Sequence, residues 1–348
     1  MRLHRTLACV ALVATSSAAL AKSDVEPFQR GICYAHAWHR DGDAGYGSAV
    51  SQKTLERLKK LGVEWISLTP FGFMESTRAV DIRVASAHGA AESDERMRLE
   101  VAHAHALGMK VALKPHLWIR RGEWQGAIEF GSDESFRAWF KSYRAFILRY
   151  AALAESDHYD MLVLGTELKS ATACDPECWR ALIAELRGVY HGPLTYAANW
   201  DEAERVPFWS ALDFIGVDAY APIATKSGAK EPELCLAWNA LAKSLEALSK
   251  RTGKRVILTE LGYRATRDAA MAPATWPESD PNPSFDGGEQ ASCFRAAFST
   301  LWGKRWLAGV YVWKWFTDSR DEQGPTDFSP ADKPAEAVIG DYYRRPFR

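Results

Sequence analysis

Apolar residues along this chain gather in eight short segments, separated by longer stretches in which they recur every three or four positions. The segments are ICYAHAW (32–38), VEWISLTPF (63–71), VALKPHLW (111–118), MLVLGTEL (161–168), LTYAANW (194–200), FIGVDAY (214–220), VILTELGY (256–263) and GVYVWKW (309–315). Each has strand length and is rich in β-branched or aromatic residues, as strands buried on both faces require. Most linkers carry a helical period instead. Leucines 55, 58 and 61 stand in step across 52–61 and stop at Gly62; Met97, Val101 and Ala104 do the same across 94–107 and stop at Gly108. The stretches 136–153, 177–189, 234–249 and 290–302 fit the same template. Only 201–212 lies between the fifth and sixth segments, room for a turn or two of helix.

Strands alternating with helices predict an α/β fold, a single (β/α)8 TIM barrel. No glycine-rich phosphate loop follows the first strand, which argues against a doubly wound nucleotide-binding sheet. The one long irregular stretch, 264–288, is rich in Pro, Asp and Ser and follows the seventh strand, so it is expected to wall or cover the barrel mouth.

The N-terminus changes the picture of where this barrel works. Arg2, His4 and Arg5 precede an apolar run from Leu7 to Val13 and small residues ending at Ala21, the pattern of a secretory signal cleaved before Lys22. That run is too short to span a bilayer, and no later segment reaches the roughly 20 apolar residues a membrane helix needs. An exported protein, periplasmic or secreted, with one domain over 22–348 is expected, as a monomer. The 43 basic and 44 acidic residues nearly cancel, which excludes the basic surface that nucleic acid or a membrane face would call for. A neutral polar polymer fits better. Of the cysteines, Cys33, Cys174, Cys178, Cys235 and Cys293 remain after the signal, an odd number. Cys174 and Cys178 are close enough in a loop to be expected as a local disulfide in an oxidising compartment. No second Cys or His pair follows at zinc spacing, so neither a metal nor a cofactor is expected.

In a barrel of this kind chemistry sits at the C-terminal ends of the strands. Read in turn, those ends carry Tyr34, His36 and Trp38; Thr69 and Phe71; Lys114, His116 and Trp118; Glu167; Asn199 and Trp200; Asp218 and Tyr220; Glu260 and Tyr263; Trp313 and Trp315. Sugar rings stack their C–H faces on aromatic rings and present hydroxyls to fixed polar partners. Breaking a glycosidic bond needs one carboxylic acid to protonate the leaving oxygen and one carboxylate to attack or activate water. Two strands ending in Thr-Glu, at Glu167 and Glu260, supply such a pair. Trp139, Trp179, Trp238, Trp302 and Trp306 fall on helical stretches and are expected to pack against the barrel, whereas Trp124 and Trp276 lie in loops, where outer sugar sites could form. His103 and His105 are two apart on a helix and face apart. His36 and His116 read as hydrogen-bonding residues, because the first strand lacks a His-x-His.

GTELKS, FIGVDAY, ILTELGYR, VYVWKW and DFSPADKPAEAVI together resemble the landmarks of glycoside hydrolase family 113, the β-mannanase family of the retaining (β/α)8 clan A. The resemblance implies Glu167 as acid/base, Glu260 as nucleophile, Tyr220 as a partner of the nucleophile, and Trp315 or Trp313 as the floor under the attacked sugar. It implies a polysaccharide substrate, β-1,4-mannan or glucomannan, cleaved by double displacement. Two positions depart from the wider clan: Thr166 stands where most members have Asn, and no Arg is found on the second strand, only Thr69. Asn199 is expected to replace the missing asparagine. Tyr34, His36, Trp38, Lys114, His116, Trp118, Asn199, Trp200, Asp218, Tyr220, Trp276, Trp313 and Trp315 are the expected substrate contacts. Rival readings are another clan A β-glycanase or β-glycosidase, acting on xylan, galactan or β-glucan, a carbohydrate-binding barrel without catalysis, and a metal-dependent hydrolase.

Overall fold

The computed structural model describes residues 27–36, 44–84, 92–318 and 324–347. The signal segment 1–21 and Trp38 lie outside them. Eight parallel strands close a barrel: Gln29–Ala35, Trp65–Leu68, Lys110–Leu113, Met161–Thr166, Leu194–Asn199, Ile215–Asp218, Val256–Leu261 and Leu307–Phe316, each paired with its sequence neighbours and the last with the first. The helices Ala49–Leu61, Asp94–Ala106, Asp133–Ser156, Pro176–Arg187, Glu231–Thr252 and Gly287–Leu301 cover its outside. As the short 201–212 interval implied, a single 3-10 turn, Trp209–Ala211, stands between the fifth and sixth strands.

Local chemistry sets the helix ends. Ser48, Ser93, Ser132, Asp175 and Asp286 each accept a first-turn N–H with their side chains, while Gly62 and Gly253 end their helices in the left-handed conformation. A further helix, Pro334–Tyr343, packs beside Gly287–Leu301 and Ala49–Leu61 and completes the outer ring. Its signals, Pro334 at the first turn and apolar Ala335, Val338 and Ile339 at helical spacing, lie beyond the eight-segment rhythm and were not read from the sequence.

The second and third segments depart from expectation. The apolar pattern predicts one strand over each, 63–71 and 111–118, and each is two. Pro70 and Pro115 have no N–H to give the barrel ladder. The barrel strands therefore end at Leu68 and Leu113, and the chain resumes as Phe71–Met74 and His116–Ile119 in a separate three-stranded sheet with Arg83–Val84. The His116 N–H donates to the Pro70 carbonyl at 2.8 Å, so the two departures leave the barrel side by side. One face of this sheet packs Leu117 and Ile119 into the core; the other carries Phe71, Phe73, His116 and Trp118.

Two cores hold the fold. Trp139, Trp179 and Trp238 are fully buried between barrel and helices, as expected. Inside the barrel Cys33, Trp65, Met161, Phe214, Ile257, Tyr311 and Trp313 form a second cluster. Glycines make room for the large rings and for close strands. A Cβ at Gly31 would sit 2.4 Å from the Tyr311 ring, and one at Gly216 would sit 2.2 Å from the Tyr196 carbonyl oxygen.

Candidate active site

Glu167 follows the fourth strand with its backbone in the left-handed region, φ 51°, a conformation non-glycine residues adopt only when the surroundings impose it. Its N–H donates to the Ala197 carbonyl at 2.8 Å. The next N–H, of Leu168, donates at 2.7 Å to the Tyr196 hydroxyl, which itself donates to Glu202 at 3.1 Å. Gly165 is needed because the Tyr143 hydroxyl, donating to the Leu164 carbonyl at 2.6 Å, fills the space a Cβ would take. The Glu167 carboxyl then meets donors on both oxygens: Trp124 Nε1 at 2.7 Å and Gln125 Nε2 at 3.4 Å on Oε2, and Asn199 Nδ2 at 2.9 Å on Oε1. Burial, and after it the Glu260 charge, push this carboxyl from its ordinary 4.5 up to about 7, against the pull of the Trp124 bond.

Glu260 has a different shell. Tyr220 donates to Oε2 at 2.6 Å and the Lys114 ammonium bonds Oε1. The His116 ring lies 3.8 Å from Oε1 and stacks on Trp313, with centroids 5.8 Å apart and planes 13° apart. Burial, then the Lys114 and Lys314 charges, push this histidine well below its usual range, so it is neutral. Below Glu260, Asp218 is closed to solvent, 3.2 Å from Lys114 Nζ and accepting from Thr259 Oγ1 at 2.7 Å. The two glutamates thus occupy opposite environments: one carboxyl is raised to about 7 by burial and its neighbour's charge, the other is met by an ammonium and a phenol. A pair so differentiated can supply an acid and a nucleophile in one cleft.

The sequence model described as Glycoside Hydrolase Family 113 matches residues 35–333. The chain belongs to glycoside hydrolase family 113. A solved complex of a family 113 β-1,4-mannanase shares the fold with a TM-score of 0.79 at 26% identity, covering 92% of this chain and 100% of that one. A family 113 β-mannanase from Alicyclobacillus acidocaldarius in complex with ManMIm gives 0.78 at 26% identity, covering 91% and 97%. A family 5 mannosidase from Rhizomucor miehei, at 11% identity and a TM-score of 0.63 over 92% and 93%, shares the fold alone. No curated protein matches the sequence.

In this family 113 hydrolase, the barrel mouth gathers Glu167, Asn199, Glu260, Tyr220, His116 and Trp313. Trp276 joins them from the irregular stretch after the seventh strand, its ring 6.4 Å from Trp313 and 6.1 Å from Phe328, so that stretch does wall the site. Trp118, Trp200 and Trp276 are 44%, 37% and 43% exposed, enough ring to accept a ligand. His36 is buried at the inner edge of the small sheet, 3.9 Å from Glu92, and burial pushes its ring down to about 4.

Four expected contacts are corrected. Tyr34 and Trp315 face outward: Tyr34 bonds Ser51 and Trp315 lies under Arg57, both on the helix Ala49–Leu61. An irregularity between the first and eighth strands pairs Cys33 with Trp313 but Tyr34 with Trp315, which takes Lys314 out of the ladder and puts Trp315 on the outer face. Of the two candidate floors, Trp313 is therefore the inward one. Lys114 and Asp218 are inside the barrel but sealed beneath Glu260, out of a sugar's reach. The expected Cys174–Cys178 bridge is absent. The Cys174 thiol turns to the Ser170 carbonyl, while Cys178, at the start of its helix, turns to the N-cap Asp175.

Several residues of the site were not read from the sequence. Its loop position predicts an outer platform for Trp124, yet the indole bonds Glu167. Glu202 accepts from Thr172, Tyr196 and the Asn199 N–H, and so fixes the loop that presents Asn199. The Asn-x-x-Glu spacing of a reciprocal cap was its only trace in sequence. Among the described residues no group of three or more His, Cys, Asp or Glu could hold a metal, and no helix is long and apolar enough to cross a membrane.

Proposed function

We propose that this family 113 hydrolase cleaves β-1,4-mannan or glucomannan by double displacement with net retention, Glu260 attacking and Glu167 acting as acid and then base. The observation that carries the reading is the contrast between the two glutamates: Lys114 and Tyr220 meet Glu260, while burial and the Glu260 charge raise Glu167 to about 7. The β-mannanase activity of the two family 113 relatives supports the choice of glycan.

Trp313, backed by His116 and edged by Trp276, is the floor beneath the attacked sugar. Phe71 and Trp118, 6.1 Å apart on the small sheet, extend an aromatic surface away from it. Trp124, bonded to the acid, and Trp200, next to Asn199, are the platforms on the leaving-group side. Asn199, whose amide bonds Glu167 Oε1 at 2.9 Å, is the better candidate than the buried Thr166 for meeting a sugar hydroxyl beside the acid.

The test is incubation with mannan, glucomannan, xylan, galactan and β-glucan, with Glu167→Ala and Glu260→Ala as controls. Release of oligosaccharide from mannan or glucomannan, with the β-anomer formed first by proton NMR, is expected. Azide should restore Glu167→Ala on an activated aryl glycoside with the β-glycosyl azide as product, whereas any azide rescue of Glu260→Ala should give the α-azide. Preferred cleavage of another glycan, or an inverted first product, would refute the corresponding part. We further propose export of a monomer with residues 1–21 removed, checked by the N-terminal sequence and light-scattering mass of the protein recovered outside the cytoplasm.

A further inference from the structure

Beneath Glu260 the barrel buries a set of charges whose sum changes during the proposed reaction. Lys114 Nζ reaches both oxygens of Asp218, at 3.2 and 3.4 Å, and bonds Glu260 Oε1 as well. Thr259 donates to Asp218 Oδ1 at 2.7 Å. Besides Glu167, whose charge also raises Asp218, the titratable groups facing this cluster are Cys33, Tyr220 and His116. Burial pushes the Cys33 thiol and the Tyr220 phenol up and the His116 ring down, so all three are neutral. Burial and the Glu260 charge push Asp218 up, while Lys114 and Thr259 draw it back; the side-chain partners it has are donors, the shell of a carboxylate. Burial alone would lower Lys114, but its two carboxylate neighbours outweigh that and hold it charged.

We propose that Lys114 and Asp218 are positioning residues, a standing ion pair that steadies Glu260 as a carboxylate and leaves the ammonium paired when Glu260 becomes a glycosyl ester. The inference rests on the double-displacement reading above. In the first step a lone pair of Glu260 bonds the anomeric carbon, the glycosidic C–O bond breaks toward the leaving oxygen, and that oxygen takes the Glu167 proton. The Glu260 charge disappears, and Lys114 with Asp218 remains a neutral buried pair rather than an orphaned cation. In the second step water bonds the anomeric carbon and yields a proton to Glu167. The ester C–O bond breaks toward Glu260, and Lys114 receives the returning carboxylate.

Asp218 thus keeps the ammonium from binding Glu260 too strongly. Without it, Lys114 would spend its whole charge on Glu260, making a poorer nucleophile and a better leaving group. The two steps should therefore move in opposite directions in Asp218→Asn.

A 2-deoxy-2-fluoro-β-mannobiosyl fluoride separates them, because its inactivation rate reports formation of the ester and its reactivation rate reports hydrolysis, both followed by intact-protein mass. Inactivation is expected to fall roughly tenfold and reactivation to rise by a similar factor, the scale of one charge-assisted hydrogen bond. Thr259→Val, which removes only the hydroxyl that aims Asp218, should shift both rates in the same senses by less, and it carries the test if Asp218→Asn does not fold. A parallel fall of both rates, or no change in either, in variants of native circular dichroism overturns the inference while leaving double displacement standing. A wild-type protein that never forms the adduct overturns both.

Discussion

Replacing Glu167 by Gln should make the protein more stable at alkaline pH and not at acid pH. The carboxyl is held up at about 7 in the fold, against 4.5 when exposed to water. A carboxyl with a raised folded value binds more protons in the native state than in the unfolded one. Stability is therefore lost as pH rises from about 4.5 to about 7, and the loss is complete above that. At full value the difference costs about 3 kcal/mol. Two features reduce the gain on substitution. Glu167 is only half-buried, so solvent screens part of the cost, and a Gln amide can accept from Trp124 or from Asn199 but not from both. A net gain of about 1–2 kcal/mol is expected at pH 8, which for a chain of this size raises the melting temperature by roughly 2–4 °C. At pH 4 the carboxyl is protonated in the fold and largely so in the unfolded chain, and the gain should vanish. Calorimetry of both proteins at the two pH values measures it. Equal shifts at both, or a loss at pH 8, would show that burial of this acid carries no electrostatic cost and would falsify the assignment of its raised pKa.

Three further outcomes follow from the geometry. Trp124→Phe keeps a ring but removes the indole N–H from Glu167; the alkaline limb of kcat/KM on mannan should move up by about one pH unit, and a limb that stays in place defeats the reading of that bond. Trp313→Ala should cost at least roughly tenfold in kcat/KM with a modest change in melting temperature, whereas Trp315→Ala should destabilise by about 3–5 kcal/mol and leave the activity of the folded fraction near wild type; urea unfolding beside initial rates distinguishes the two faces. Gly216→Ala forces a Cβ to 2.2 Å from the Tyr196 carbonyl, and a loss of about 3 kcal/mol or more is expected by chemical denaturation.

The strand–helix rhythm made the barrel legible, because a buried parallel strand and an amphipathic helix have different periods and this chain keeps both nearly everywhere. Glu167, Glu260, Asn199 and Tyr220 were legible for the same reason, each standing at the end of such a strand. The errors fall where the period fails. Position at a strand end suggested Tyr34 and Trp315 as contacts, but Tyr34 alternates with the inward Cys33, and the extra residue Lys314 in the eighth strand turns Trp315 to the opposite face from Trp313. Pro70 and Pro115 ended two ladders inside segments that read as continuous. Contacts between distant irregular stretches left no local signal: Trp124 lies 43 positions before the glutamate it bonds. Nor could spacing tell that Lys114 and Asp218 serve Glu260 from below, since depth along the barrel axis is not written in a strand-end residue.

The two prolines that lift the chain off the barrel rim also divide the molecule into units of change. Closure depends on the strands that end at Leu68 and Leu113; the small sheet beyond them has its own ladder and is held to the barrel by the His116 to Pro70 bond, by His116 on Trp313 and by Leu117 and Ile119 in the core. Its outer residues, Phe73 and Trp118, can therefore be exchanged without altering a single barrel hydrogen bond. On the proposed reading, chain-length preference can drift, or be engineered, on that sheet while Glu167 and Glu260 stay where the barrel holds them.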